Sequence, residues 1–303
     1  MITTERQPPE SDLGRPPALG QAVEDGHEIS DVETIIRPTS GWIAVDWTEL
    51  IRSRELFRSL VMRDVMIRYK QTVLGVAWAV IQPLFQMVVF TVIFGRFVGV
   101  KTGDDQIPYA MFVFAGLVPW TFFSNAVNAA SLSLLTQQHM LSKIYFPRLF
   151  VPAATAGAYL VDMLISLALY AAMMPFFGVG PRWGLLAVPF LVALTFAAAL
   201  GISLALSAMT ILFRDLRFVI PFGLQLLMYV SPVIYPLTVL PRWLQYVAAL
   251  NPIFGIINAF RSSILGAPWE PAMLAISTLS TAVLLLFGIY FFRRTERHFA
   301  DVT

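Results

Sequence analysis

Three observations predict an all-α membrane protein with six transmembrane helices, an amphipathic interface helix at the N-terminal side and a short re-entrant helical hairpin before the last span. The chain of 303 residues is 57% hydrophobic and only 13% charged, where a soluble domain carries about a quarter charged residues. Long stretches contain no charge at all, the first running from Gln71 to Gly95, enough for a helix to cross a bilayer. The basic residues crowd to one side of the resulting topology, as the positive-inside rule requires of cytoplasmic flanks.

Residues 1–28 are rich in Pro, Glu, Asp and Gly and have no apolar period, which predicts a disordered acidic tail. The segment 29–47 holds two short β-favouring runs, Val32–Ile36 and Trp42–Val45, about a Pro-Thr-Ser-Gly turn. A small hairpin and an extended linker both fit it. Thr48–Lys70 reads as a helix with Leu56, Phe57, Leu60, Val61 and Val65 on one face and Arg58 and Arg63 flanking it. Such a helix suits a membrane interface, with basic side chains among the headgroups.

Uncharged stretches then place spans at about 73–95, 107–132, 150–177, 184–212, 218–236 and 272–292, with 298–303 left as a C-terminus. Prolines at 83, 119, 152, 175, 189, 221 and 232 fall in these spans and are expected to kink them. Residues 241–265 are split by Asn251-Pro252. The piece Pro241–Leu250 is only about 15 Å long as a helix, half the hydrocarbon thickness. Two short helices, Pro241–Leu250 and Pro252–Leu265, each opened by a proline, therefore dip in and return. Charge counting agrees: six spans put thirteen basic residues inside, from Arg52 to Arg297, and five outside, namely Arg96, Lys101, Arg182, Arg242 and Arg261. Making 241–265 a seventh span would give ten against eight. Both termini are then cytoplasmic.

The sequence excludes several chemistries. There is no GxxxxGK[ST] loop, so the chain is not itself a P-loop ATPase. It has no cysteine, and His27, His139 and His298 are too scattered for a metal site or a catalytic triad. Asp162 is the one acidic residue within a span, and an intramembrane ionisable group is a functional candidate, with a hydrogen-bonded structural acid as the alternative. Ser166, one turn on, is the expected partner. Gln82 with Gln86, and Asn125 with Asn128, share helix faces, while Gln225 stands alone in the fifth span. Interhelical hydrogen bonding and a polar lining both account for them. Between the second and third spans, TQQHMLSKIYFPRLFVP carries apolar anchors between Lys143 and Arg148, a pattern suited to docking into a partner's cleft.

The stretch RDVMIRYKQTVLGVAWAVIQP (63–83) resembles the signature that opens the membrane subunit of ABC-type polysaccharide exporters. LSKIYFPRLFVP resembles that family's cytoplasmic segment, and the double helix before the last span matches in kind and position. The resemblance covers roughly residues 30–297. It implies a homodimeric permease in the inner membrane, bound to two separate ABC ATPase subunits that carry ATP and magnesium, with no cofactor on this chain and no catalysis by it. The implied cargo is an undecaprenyl-diphosphate-linked polysaccharide such as O-antigen or capsule.

By the same resemblance, Lys143, Ile144, Tyr145, Phe146, Pro147 and Arg148 form the ATPase-coupling segment. Arg63, Asp64, Arg68, Tyr69 and Lys70 belong to the interface helix at the cytoplasmic mouth, the basic ones facing the diphosphate or lipid headgroups. The first and fifth spans line the channel, with Trp78, Gln82, Phe85, Gln86, Gln225 and Tyr229 as candidates. Three alternatives remain: an ABC permease for a drug, lipid or small hydrophobic molecule, a membrane enzyme or scaffold of glycan synthesis, and proton-coupled transport through Asp162.

Overall fold

The computed structural model describes residues 53–70, 76–102, 107–137 and 147–296. The acidic tail, the 29–47 segment and residues 143–146 lie outside them, so the readings made for those stretches have no structural counterpart here. The described residues belong to one unit, Ile43–Thr303. They form nine α-helices: α1 (Arg54–Lys70), α2 (Val76–Phe90), α3 (Tyr109–Thr136), α4 (Phe150–Met173), α5 (Val188–Leu212), α6 (Leu216–Val230), α7 (Arg242–Ala248), α8 (Pro252–Leu265) and α9 (Pro271–Glu296). A π-helical segment, Thr91–Phe97, prolongs α2. No strand occurs among the described residues.

The helix α3 is the hub. It packs against α2, α4, α5, α6 and α8, and its large apolar residues are buried on every side, including Met111, Phe114, Phe122 and Phe123. A helix apolar all round must be enclosed by others, and this one is. Phe114 stacks on Tyr170 of α4 at 5.6 Å, and the Tyr170 hydroxyl donates to the Met111 carbonyl at 3.3 Å. Thr210 of α5 donates to the Ser131 carbonyl of α3 at 2.8 Å. Helices α5 and α9 meet through glycine. A Cβ on Gly201 would strike the Leu285 backbone, and one on Gly288 would strike the Gly201 carbonyl oxygen. In hydrocarbon, close approach of this kind supplies the packing that the hydrophobic effect does not.

Five helices are long and apolar enough to cross a membrane, Ala77–Phe97, Tyr109–Thr136, Phe150–Met173, Trp183–Leu212 and Pro271–Glu296, and a bent pair raises the number to six. That pair is α7 and α8, bent by 112°. Asn251 caps α8 by accepting from the Ile253 amide at 3.3 Å, and Pro252 occupies its first turn, where a missing N–H costs nothing. Gly266, at φ +76°, closes it in the left-handed conformation. The expected fifth span differs most. It stops at Val230, before Ser231-Pro232, and its 15 residues extend only about 22 Å. Of the prolines expected to kink spans, 83, 119 and 221 lie inside helices. Pro152 and Pro189 sit in first turns, and Pro175 and Pro232 follow helix ends.

Every residue of α8 is buried, and this revises the charge count. Arg261 is not an outer headgroup charge but a guanidinium 2% exposed. It donates to the carbonyls of Val233 at 2.7 Å, Phe112 at 3.3 Å and Tyr235 at 3.3 Å, and lies 3.7 Å over the Phe112 ring. Tyr109 adds a bond to the Ile234 carbonyl at 2.7 Å. The turn that ends α6 is thus tied to α3 and α8. Removing Arg261 from the outside set leaves the inside excess larger.

Candidate functional site

Helix α1 packs along α4. Phe57 meets the Phe150 ring at 5.4 Å, Val61 faces Gly157, and Thr155 donates to Asp64 at 2.9 Å. Further on, Arg68 lies 3.8 Å over the Tyr159 ring. The partners advance together along both helices, so α1 follows the first half of α4. A helix lying flat beneath that span would touch its end alone. Of the predicted apolar face, Leu60 is buried and Leu56 is exposed, and Met62, Met66 and Ile67 present a second, exposed apolar side.

The partner of Asp162 comes from this pairing and not from Ser166. Arg68 forms an ion pair with Asp162 at 2.6 Å, and the Tyr69 hydroxyl donates a short hydrogen bond to it. Burial, and then the bond to Asp162, raise the Tyr69 phenol well above its ordinary range, so it stays a donor. Arg63 pairs with Asp64 at 2.8 Å and donates to Gln137 at the end of α3 at 2.8 Å. Arg63 and Arg68 are therefore engaged within the protein. Lys70 is exposed.

Where α1 ends, a cavity of about 80 Å³ opens among α1, α2, α3 and α4. Arg68 and Tyr69 contribute from α1, and Trp78, Gln82 and Gln86 from α2. Thr121 and Asn125 contribute from α3, Asp162 and Ser166 from α4. The Gln86 carbonyl oxygen is buried without a hydrogen-bond partner, as is that of Asn128, one turn beyond Asn125 on α3. Among the described residues no cluster of three His, Cys, Asp or Glu could hold a metal ion.

The lining candidates divide. Trp78 and Phe85 are 56% and 68% exposed and share an accessible face of α2 with Gln82, whereas Gln86 is half-buried. On α6, Phe218, Phe222, Gln225 and Tyr229 make an exposed stripe at helical spacing. Both helices rest on α3. Of the coupling candidates, Pro147 is buried and opens the turn that leads into α4, its carbonyl accepting from the Phe150 amide at 2.9 Å. Arg148 reaches the Glu296 carbonyl at the end of α9, at 3.5 Å. Residues not anticipated from sequence are Thr155, Tyr159, Gln137 and Arg261. The first two were open to discovery, since Thr155, Tyr159 and Asp162 fall on one face of a helix, as do Asp64 and Arg68.

Fold and site define a multi-pass helical membrane protein in which polar contacts join α1 to α4 and α8 to α3. The family model described as ABC-2 type transporter matches residues 55–265, more than half of the chain, and the chain belongs to that membrane family. It is 27% identical over 252 residues to the Myxococcus xanthus "O-antigen export system permease protein RfbA", covering 82% of this chain and 95% of that one. It is 24% identical over 243 residues to the Escherichia coli "Polysialic acid transport protein KpsM", covering 78% and 92%. A third relative, the "Inner membrane transport permease YadH" of Escherichia coli (strain K12), is 26% identical over 221 residues, covering 69% and 83%.

Proposed function

We propose that this chain is the permease of an ATP-driven exporter that carries a lipid-linked polysaccharide, on an undecaprenyl-diphosphate anchor, out of the cytoplasm across the inner membrane. The observation that supports it is the alignment, over most of both chains, with relatives named for O-antigen export and polysialic acid transport. In this reading two copies assemble with two ABC ATPase subunits, which hold ATP and magnesium, and this chain binds no cofactor. The six spans are α2, α3, α4, α5, α6 continued by the non-helical Ser231–Pro236, and α9, with α7 and α8 re-entrant and both termini cytoplasmic.

The exposed faces of α2 and α6 line the path, Trp78, Gln82, Phe85, Gln225 and Tyr229 among them. Lys143–Arg148 docks on the ATPase. Its motion would reach α1 through Phe150 and Phe57, and α9 through Arg148. The exposed Lys70 is the α1 cation best placed for a diphosphate or headgroup, since Arg63 and Arg68 have protein partners. A permease for a small hydrophobic molecule is the second reading, because the YadH relative is named for transport without a glycan.

Deleting the gene and restoring it in variants tests the proposal. Wild type is expected to restore surface polysaccharide. Tyr145→Pro and Arg148→Glu should leave the chain in the membrane at normal level, with glycan retained inside and ATPase stimulation lost. Unchanged export and ATPase activity in both variants contradicts the coupling assignment, and unchanged surface polysaccharide in the deletion contradicts the cargo.

A further inference from the structure

The cavity among α1, α2, α3 and α4 has walls of a particular chemistry, and the inference drawn from it rests on the export reading. We propose that it is a subsite for one uncharged, hydroxyl-rich sugar ring of the cargo, inserted edge-on beside Trp78. Three ligand classes compete for such a space. A phosphate needs uncompensated positive charge, but the one guanidinium present, Arg68, is held 2.6 Å from Asp162, so the walls carry no net charge. An alkyl tail would strand the buried polar atoms, each at a cost of about 1–3 kcal/mol.

A sugar ring suits these walls once the Gln86 amide turns its oxygen toward the cavity that the residue lines. Its hydroxyls donate to the Gln86 carbonyl oxygen, buried and without a partner, and exchange hydrogen bonds with the amides of Gln82 and Asn125, which can both give and accept. Thr121 has its proton committed to the Leu117 carbonyl at 2.8 Å and is left as an acceptor. The apolar C–H side of the ring lies on the indole of Trp78, which is 56% exposed at the rim. The volume of about 80 Å³ is several times the roughly 10–15 Å³ that one buried water needs. It therefore takes the edge of one ring and not a length of polymer. Trp78 and Gln82, which line the cavity, also lie on the accessible side of α2, so a glycan moving along that side would offer its units to the cavity one at a time.

The chain has no cysteine, so Ser166→Cys places a single thiol in the cavity and leaves the proposed binding groups intact. Membrane vesicles containing the full chain and its ATPase are treated with a small, water-soluble thiosulfonate, with and without methyl glycosides of common hexoses and N-acetylhexosamines. At least one glycoside is expected to slow labelling about threefold, the factor 1 + [L]/Kd gives at about twice the Kd. Inorganic pyrophosphate at matched ionic strength should not. Protection should disappear with Gln86→Leu and Trp78→Ala and survive Trp78→Phe, which also shows that the fold is kept. Labelling that no glycoside slows, protection by pyrophosphate instead, protection that survives Gln86→Leu and Trp78→Ala, or a thiol that never labels would each overturn the subsite. Export by the wild-type chain is scored in parallel. A chain that exports without protection loses only this subsite, and one that never exports loses the reading beneath it.

Discussion

Asp162 keeps a carboxylate within an apolar helix because two α1 side chains turn toward it. Arg68 and Asp162 remain 32% and 17% exposed at their side chains, so solvent screens their attraction and the net contribution of the pair is modest. Asp162→Asn and Arg68→Met are each expected to destabilise the purified protein by about 1–3 kcal/mol, read as a lower Tm in detergent. The double variant should lose clearly less than the sum, since the two residues share one interaction. Strict additivity would mean that the pair does not couple. A proton relay needs more than one such group, and full export by Asp162→Asn at every pH tested excludes proton coupling through it. The sequence marked Asp162 as exceptional but pointed to Ser166 for its partner, because spacing reports only neighbours on the same helix. Its true partners lie more than ninety residues earlier in the chain. Arg261 was misplaced for a related reason. Counting charges assumes that each one meets water or headgroups, whereas this guanidinium is spent on three backbone carbonyls.

At the scale of elements, α5 and α9 depend on the absence of side chains where they cross. Gly201→Leu would push a branched side chain into the Leu285 backbone, and overpacking of this kind costs about 1–3 kcal/mol or more. The expected result is a marked loss of monodisperse protein on size exclusion, while Gly223→Leu on α6, where a Cβ meets nothing, should behave as wild type. The long helices were legible because uncharged runs of more than 18 residues have one explanation in a chain of this composition. The break before α8 was legible for a different reason: Asn-Pro is both a cap and a first turn. The early end of α6 was less so, since Val230–Pro236 continues without charge and only Ser231-Pro232 marks the stop. The course of α1 along α4 was not legible. An amphipathic helix shows which side is apolar, and nothing in its period distinguishes lipid from a neighbouring helix.

At the scale of the molecule, the described residues use the polar groups of α1, α4 and Arg261 to join helices and leave large apolar side chains open on α2 and α6. The α1–α4 network, the Arg261 clamp and the cavity lie inside the bundle, while α2 and α6 carry rows of exposed large side chains. Membership of the ABC-2 transporter family rests on the match over residues 55–265, and the proposed cargo rests on the names of relatives aligned along most of the chain. The most direct test is reconstitution of this chain, with the ABC ATPase proposed as its partner, into vesicles loaded on one leaflet with a lipid-linked polysaccharide. Glycan should pass to the opposite side only when ATP and magnesium are supplied on the ATPase side, and the Tyr145→Pro chain should fail. Transfer that proceeds equally without ATP, or ATP turnover that moves no glycan, would contradict the account.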